Sequence, residues 1–202
     1  NRLHFYNPLT KKNLVKMIEN LTEVTANILP DQTLDTVAYG CTSGTLAAGV
    51  EQIVNKIQSA KPNCKVTTPI TSAVNALKYL NLKKISIFTP YIQSINETVI
   101  SHFKNEGFSI ESFSSFNLET DLDIGRIDPK YLLEVLTKMD IGGAEAIFVS
   151  CTALPVFEII QELENKTKKI VISSNQALIW DTIRSVGCNS SIDGYGKLFN
   201  NN

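Results

Sequence analysis

Thr36-Val37-Ala38-Tyr39-Gly40-Cys41-Thr42-Ser43-Gly44 is a short apolar run that ends at a small residue and Cys-Thr, then passes into an amphipathic stretch reaching Ile57. The same order returns at Ala146-Ile147-Phe148-Val149-Ser150-Cys151-Thr152-Ala153, with a second amphipathic stretch to Leu163. Each run reads as a buried strand and each sequel as a helix. Both thiols then stand at the C-terminal end of a strand, beside the N-terminus of the next helix. Unpaired N–H groups and the positive end of the helix dipole attract carboxylates there and lower a thiol pKa. Ligands of open α/β sheets also bind beyond these strand ends. Two such cysteines predict a two-sided site.

Strand and helix alternate on either side of these units. Thr10 predicts the N-cap of one helix over about 11–29, ended by Pro30-Asp31. A short strand over 65–68 meets Pro69, and Thr71 or Ser72 caps a helix to Leu80. Residues 84–89 read as a strand ending at Pro90-Tyr91, and 93–105 as a helix stopped by Gly107. A strand over 108–116, a polar loop over 117–128 and a helix opened by Asp128-Pro129 follow. Residues 169–172 form a further strand, Ser173-Ser174-Asn175-Gln176 opens a helix closed by Gly187, and the polar tail from Cys188 reads as loosely held. This alternation means parallel sheets covered by helices. Cys41 and Cys151 are 110 positions apart, and Thr-Pro occurs at 68–69 and 89–90. The chain therefore reads as a pseudo-repeat, two similar Rossmann-like α/β halves related by a pseudo-twofold, with their sites facing one cleft.

At 202 residues the chain is long enough for a substantial core. Its net charge of −1, without any block of like charge, argues against nucleic acid and anionic membrane surfaces as partners. No apolar run reaches membrane length, and Asn1 to Thr10 has no signal-peptide core. The chain does not start with Met, so a trimmed or missing first segment is expected. The four cysteines, 41, 64, 151 and 188, form no CxxC and have no neighbouring His, which argues against a metal site and for a reducing cytoplasm. Gly40 and Gly44 lack the Gly-Lys-Ser/Thr sequel of a phosphate loop. His4 and His102 each stand alone and read as surface or packing residues, as Cys64 and Cys188 do.

An ordered set of motifs resembles the aspartate/glutamate racemase superfamily, in particular its maleate isomerase, arylmalonate decarboxylase and ectoine-utilisation branch. The set is Ala38 to Thr45, Val66-Thr67-Thr68-Pro69, Thr89-Pro90-Tyr91, Ile124-Gly125-Arg126-Ile127-Asp128-Pro129, Val149 to Leu154 and Ser173 to Leu178. It spans roughly residues 5–187. The resemblance implies two four-stranded halves, 1–68 plus 168–202 and 69–167, with the site between them and no cofactor. It matches Cys41 and Cys151 to the family's two reacting cysteines, Tyr91 to a carboxylate-contacting tyrosine, and Thr42, Ser43, Thr152 and Ala153 to carboxylate-binding positions. Two departures stand out. Nothing before His4 matches the family's first strand, so that strand is expected to be absent from this chain. Thr120-Asp121-Leu122 stands where the isomerases carry a substrate-contacting Asn, which makes Asp121 a candidate substrate contact and turns the wording toward ectoine-utilisation proteins.

Two thiols facing across a planar carbon can act as base on one face and acid on the other, or one can add to a C=C bond while the other moves a proton. Either route passes through an anion that the N–H groups after Cys41 and Cys151 are suited to hold. The resemblance and this chemistry together imply an isomerase or racemase acting on a small mono- or dicarboxylate, with a decarboxylase or an ectoine-type enzyme as rivals inside the family. A carboxylate-binding protein without chemistry is the rival from another class. The family's decarboxylases have glycine at the first cysteine, so Cys41 weighs against decarboxylation. A small two-lobed enzyme with apolar helices is also expected to form a homo-oligomer.

Overall fold

The computed structural model describes residues 1–200; the last two residues of the polar tail lie outside them. In chain order the elements are α1 (Lys11–Met17), α2 (Leu21–Ala26), β1 (Thr36–Ala38), α3 (Thr42–Ala48), α4 (Val50–Ala60), β2 (Lys65–Thr67), α5 (Pro69–Tyr79), β3 (Lys84–Tyr91), α6 (Gln93–Asn105) and β4 (Ser109–Leu118). They continue as α7 (Asp121–Gly125), α8 (Pro129–Lys138), β5 (Ala146–Val149), α9 (Ile160–Thr167), β6 (Ile170–Ser173), α10 (Ser174–Ser185) and α11 (Lys197–Asn200).

The strands form two parallel sheets. One has the order β4-β3-β5-β6, and the other is the pair β1-β2. All of β5 and all of β3 beyond Lys84 are buried, as expected for strands covered on both faces. Around this sheet lies the larger core, in which Phe88, Phe103, Phe148 and Val149 meet Leu132 and Leu163 from the covering helices. A smaller core of Met17, Ile18, Leu21, Val37, Tyr39, Ile53, Ile57 and Cys64 sits against the pair.

The sheet that carries the first cysteine unit thus has two strands where the resemblance implied four. Residues 1–10 form no strand, and Leu9 spends its N–H on the Glu119 carbonyl. Strand β6, which the division at 168 places with the first half, is hydrogen-bonded to β5 through the register Ala146↔Ile170 to Val149↔Ser173. The following helix, α10, packs on both α5 and the smaller sheet. Its Thr182 hydroxyl lies 2.6 Å from that of Thr67, and Asp181 accepts from Ser72 Oγ at 2.7 Å.

Several elements end earlier than periodicity suggests. Thr10 does cap α1, accepting from Asn13 N, but the expected long helix breaks after Met17. Ile18, Glu19 and Leu21 turn back to carbonyls only three residues away, which restarts the chain as α2. The helix after Cys41 breaks at Gly49, whose φ of +88° an L side chain would strain. The stretch read as a loop over 117–128 continues β4 to Leu118 and then forms α7, capped by Thr120. The tail is not loose. Leu198 and Phe199 are buried, Gln176 Nε2 donates to the Tyr195 carbonyl at 2.6 Å, and Lys197 N donates to Glu164 Oε2 at 2.9 Å. Among the described residues, no helix is long and apolar enough to cross a membrane.

Candidate active site

Cys41 follows β1 and is the N-cap of α3, where its Sγ accepts from Gly44 N at 3.3 Å. The N–H groups of Thr42 and Ser43, in the first turn, have no partner within the helix. Cys151 follows β5, but no helix starts beside it. Residues 151–159 run as bends and turns through Pro155, and α9 opens only at Ile160. The thiol is instead aimed by the backbone: Cys151 has φ +92°, a conformation that a non-glycine residue rarely adopts and that tends to mark functional sites. Its N–H donates to Ser174 Oγ at 3.0 Å, and its Sγ accepts from Ala153 N at 3.4 Å.

The two cysteine loops are stitched to each other. Thr42 Oγ1 donates to Ser174 Oγ at 2.9 Å, the same hydroxyl that takes the Cys151 N–H. Thr152 Oγ1 donates to the Gly40 carbonyl at 2.8 Å, and Asn175 Nδ2 donates to the Thr152 carbonyl. Tyr91, at the end of β3, lies buried with its hydroxyl 3.4 Å from Ser150 Oγ. Asp121 is half-buried as the first residue of α7, with Arg2 within electrostatic reach. All eight positions singled out in the sequence, Cys41, Thr42, Ser43, Tyr91, Asp121, Cys151, Thr152 and Ala153, line one cavity of about 330 Å³. Met17, Leu21, Val24, Val37 and Ile28 close its apolar end.

Three wall or bridging residues have no signal in a local pattern. Ser174 reads as part of a helix cap, and Arg2 lies in a segment without a motif. Tyr39 sits inside the first Cys motif but reads as core. The capping role itself falls on Ser173 and Gln176, which form a capping box.

Electrostatics depart from the helix-terminus expectation. Burial pushes the Cys41 thiol above its ordinary 9.0, and the Asp121 charge adds to this, while the Gly44 N–H and Ser43 pull it down. Cys151 is pushed up to about 12, first by burial and then by the charges of Cys41 and Asp121, against hydrogen bonds from Ala153 N and Tyr91. Burial also raises the Tyr91 phenol and the Asp121 carboxyl, the latter opposed by Arg2. Desolvation of two neighbouring thiols outweighs the few N–H groups aimed at them. Among the described residues, no group of three or more His, Cys, Asp or Glu is placed to hold a metal ion.

The family model described as arylmalonate decarboxylase matches residues 7–199. The maleate isomerase of Geobacillus stearothermophilus is 25% identical over 198 residues, covering 94% of this chain and 78% of that protein. The arylmalonate decarboxylase of Bordetella bronchiseptica is 26% identical over 136 residues, covering 66% of this chain and 57% of that protein. Among solved structures, a mutant of the Nocardia farcinica maleate cis-trans isomerase with a covalently bound succinylcysteine intermediate superposes with a TM-score of 0.89 at 16% identity, covering 100% of this chain and 85% of that one. A match over nearly the whole chain, with two cysteine loops meeting at one cavity, places this chain in the arylmalonate decarboxylase family.

Proposed function

We propose that the chain is a cofactor-independent isomerase that moves protons on a small carboxylate with Cys41 and Cys151. The observation that carries this reading is that both thiols line one cavity whose wall also supplies Thr42, Ser43, Thr152 and Tyr91. On one route a thiolate removes a proton beside the carboxylate and the other thiol returns one on the opposite face. On the other, a thiolate adds to a double bond, the C–C single bond turns, and the thiolate leaves again to restore the double bond, any proton given by the second thiol being taken back first. The maleate isomerases among the relatives, one of them seen with a succinyl group on cysteine, support this chemistry.

Asp121 narrows the substrate. With Arg2 beside it, Asp121 gives this part of the cavity an acceptor as well as a cation, so a substrate that carries an ammonium or another hydrogen-bond donor next to its carboxylate finds partners for both. This favours a monocarboxylate with a donor group, such as an amino acid or an ectoine-derived acid, over maleate. A decarboxylase-like reading draws on the family match and on the apolar end of the cavity, which suits a substituted malonate.

The test is proton exchange followed by NMR in D₂O over maleate, aspartate, glutamate, arylmalonates and ectoine-derived acids. Exchange or isomerisation of a donor-bearing monocarboxylate is expected. Turnover of arylmalonates alone replaces the reading by the decarboxylase, and binding without exchange replaces it by a carboxylate-binding protein.

The raised thiols add a pH expectation. Both are protonated at neutral pH, so the working thiolate is a minor form that grows as pH rises. kcat/KM, which reports on the free enzyme, is therefore expected to climb by about tenfold per pH unit between pH 7 and 9. A plateau already reached below pH 8 contradicts this.

A further inference from the structure

Each thiol in the cavity has a buried tyrosine beside it, and the two tyrosines differ in one respect. Tyr91, next to Cys151, has its hydroxyl against Ser150 Oγ at 3.4 Å. Tyr39, two residues before Cys41, has a buried hydroxyl with no hydrogen-bond partner among the described residues. The rest of Tyr39 is held firmly. Its N–H donates to the Thr67 carbonyl at 2.9 Å, and its ring belongs to the small core with Met17, Val37 and Ile57. An unpaired buried hydroxyl destabilises a fold, and such groups in native proteins call for a reason.

The point where a Cβ would stand on Gly44 shows where that hydroxyl is. It lies 2.6 Å from Tyr39 Oη, 2.7 Å from Met17 Cε and 3.0 Å from Cys41 Sγ. The phenol and the thiol thus flank a gap that only glycine leaves open. The titratable groups around Cys41 are otherwise Asp121 from α7, Cys151 from the β5 loop and Tyr91 from β3, all acidic, with Arg2 facing Asp121. Of these, a phenol is the strongest uncharged donor to a sulfur anion, the Cys151 S–H being a weak one. Gly44 N–H and Ser43 Oγ, at 3.3 and 3.8 Å, are the donors already in place.

We infer that Tyr39 is a positioning residue for Cys41, its otherwise unpaired hydroxyl donating a hydrogen bond to the Cys41 sulfur when that sulfur is a thiolate. The inference rests on Cys41 being a reacting thiol. It assigns the two tyrosines parallel tasks, Tyr91 at Cys151 and Tyr39 at Cys41, and it gives the unpaired hydroxyl a neighbour that attracts it weakly as a thiol and strongly as a thiolate.

The experiment is alkylation by iodoacetamide between pH 6 and 11, resolved by cysteine through peptide mass spectrometry, on the full chain and on Tyr39→Phe. Hydrogen bonds to charged groups convert to about 10–100-fold in an equilibrium constant, so the Cys41 midpoint is expected to rise by about one to two pH units in Tyr39→Phe. The Cys151 midpoint stays in place, and thermal stability is unchanged or slightly higher because the lost atom had no partner. Gly44→Ala, which crowds the same gap, is expected to shift Cys41 in the same direction. An unmoved Cys41 midpoint in Tyr39→Phe overturns the inference. So does a common shift of both thiols with a lowered melting temperature, which marks Tyr39 as a packing residue. Alkylation needs no substrate, so a wild type without turnover on any acid sinks the proposed isomerase activity while this result stands or falls separately.

Discussion

Cys151→Ala is expected to lower turnover of the true substrate by about 10²–10⁴-fold while leaving the fold intact, the usual span for removing a positioned acid or base. The loss arises at the sulfur, whose removal also frees the Ala153 N–H and the Tyr91 hydroxyl that bond to it. The Cys151 N–H still reaches Ser174 Oγ, and Tyr91 keeps its contact with Ser150 Oγ when its bond to the thiol is lost. Alanine inherits the strained φ of +92°, so the loop gains no relief and the neighbouring Thr152 keeps its bond to Gly40. Cys41→Ala is the informative partner. A loss of similar size means both thiols move protons, as in an isomerase or racemase. Activity that survives Cys41→Ala but not Cys151→Ala means a single protonating cysteine and the decarboxylase-like route. The measurements are steady-state kinetics on the substrate identified by exchange and a thermal scan of each variant, which should stay within a few degrees of wild type.

Phe199→Ala is expected to be the more damaging change to stability, although it lies in a polar tail far from the cysteines in sequence. Its side chain is 1% exposed, beside Leu198 at 0%, in the larger core. Truncating a buried Phe costs about 3–5 kcal/mol, which for a chain of this size lowers the melting temperature by roughly 10 °C. Gly196→Ala tests the same docking from the other side. A Cβ there would stand 2.6 Å from Ile160 Cγ2 on a backbone with φ +83°, and it would unseat Tyr195 and Lys197, which bind Gln176 and Glu164. Leu122→Ala is the control. At 62% exposure it should change stability by less than about 0.5 kcal/mol.

These two expectations mark where the sequence was readable and where it was not. The Cys-Thr units were legible because a buried strand followed by a small residue is a local pattern, and β1 and β5 end where the pattern says. Tyr91 and the positions around each cysteine came from the ordered motifs, and the cavity contains them all. The tail was not legible because fifteen mostly polar residues hide Leu198 and Phe199, whose docking is held by Glu164 and Gln176, neither of them nearby in sequence. The missing helix after Cys151 was masked in the same way: Leu154, Val156 and Ile159 are buried although residues 151–159 form no helix. The raised thiols could not be read from strand-end placement, since desolvation depends on what the other half brings against each sulfur. Ser174 escaped because its importance is a relation between two loops rather than a property of its own segment.

That relation bears on how this catalyst is able to change. Both cysteine loops bond to one hydroxyl, on a helix that belongs to neither loop, and a direct bond from Thr152 to Gly40 ties them to each other as well. The span between the sulfurs is therefore set by a shared clamp instead of by two independent scaffolds. Outer strands and surface helices can drift in sequence without detuning that span. The chamber between the sulfurs can be re-lined for new acids at positions such as Asp121, Met17 or Leu21.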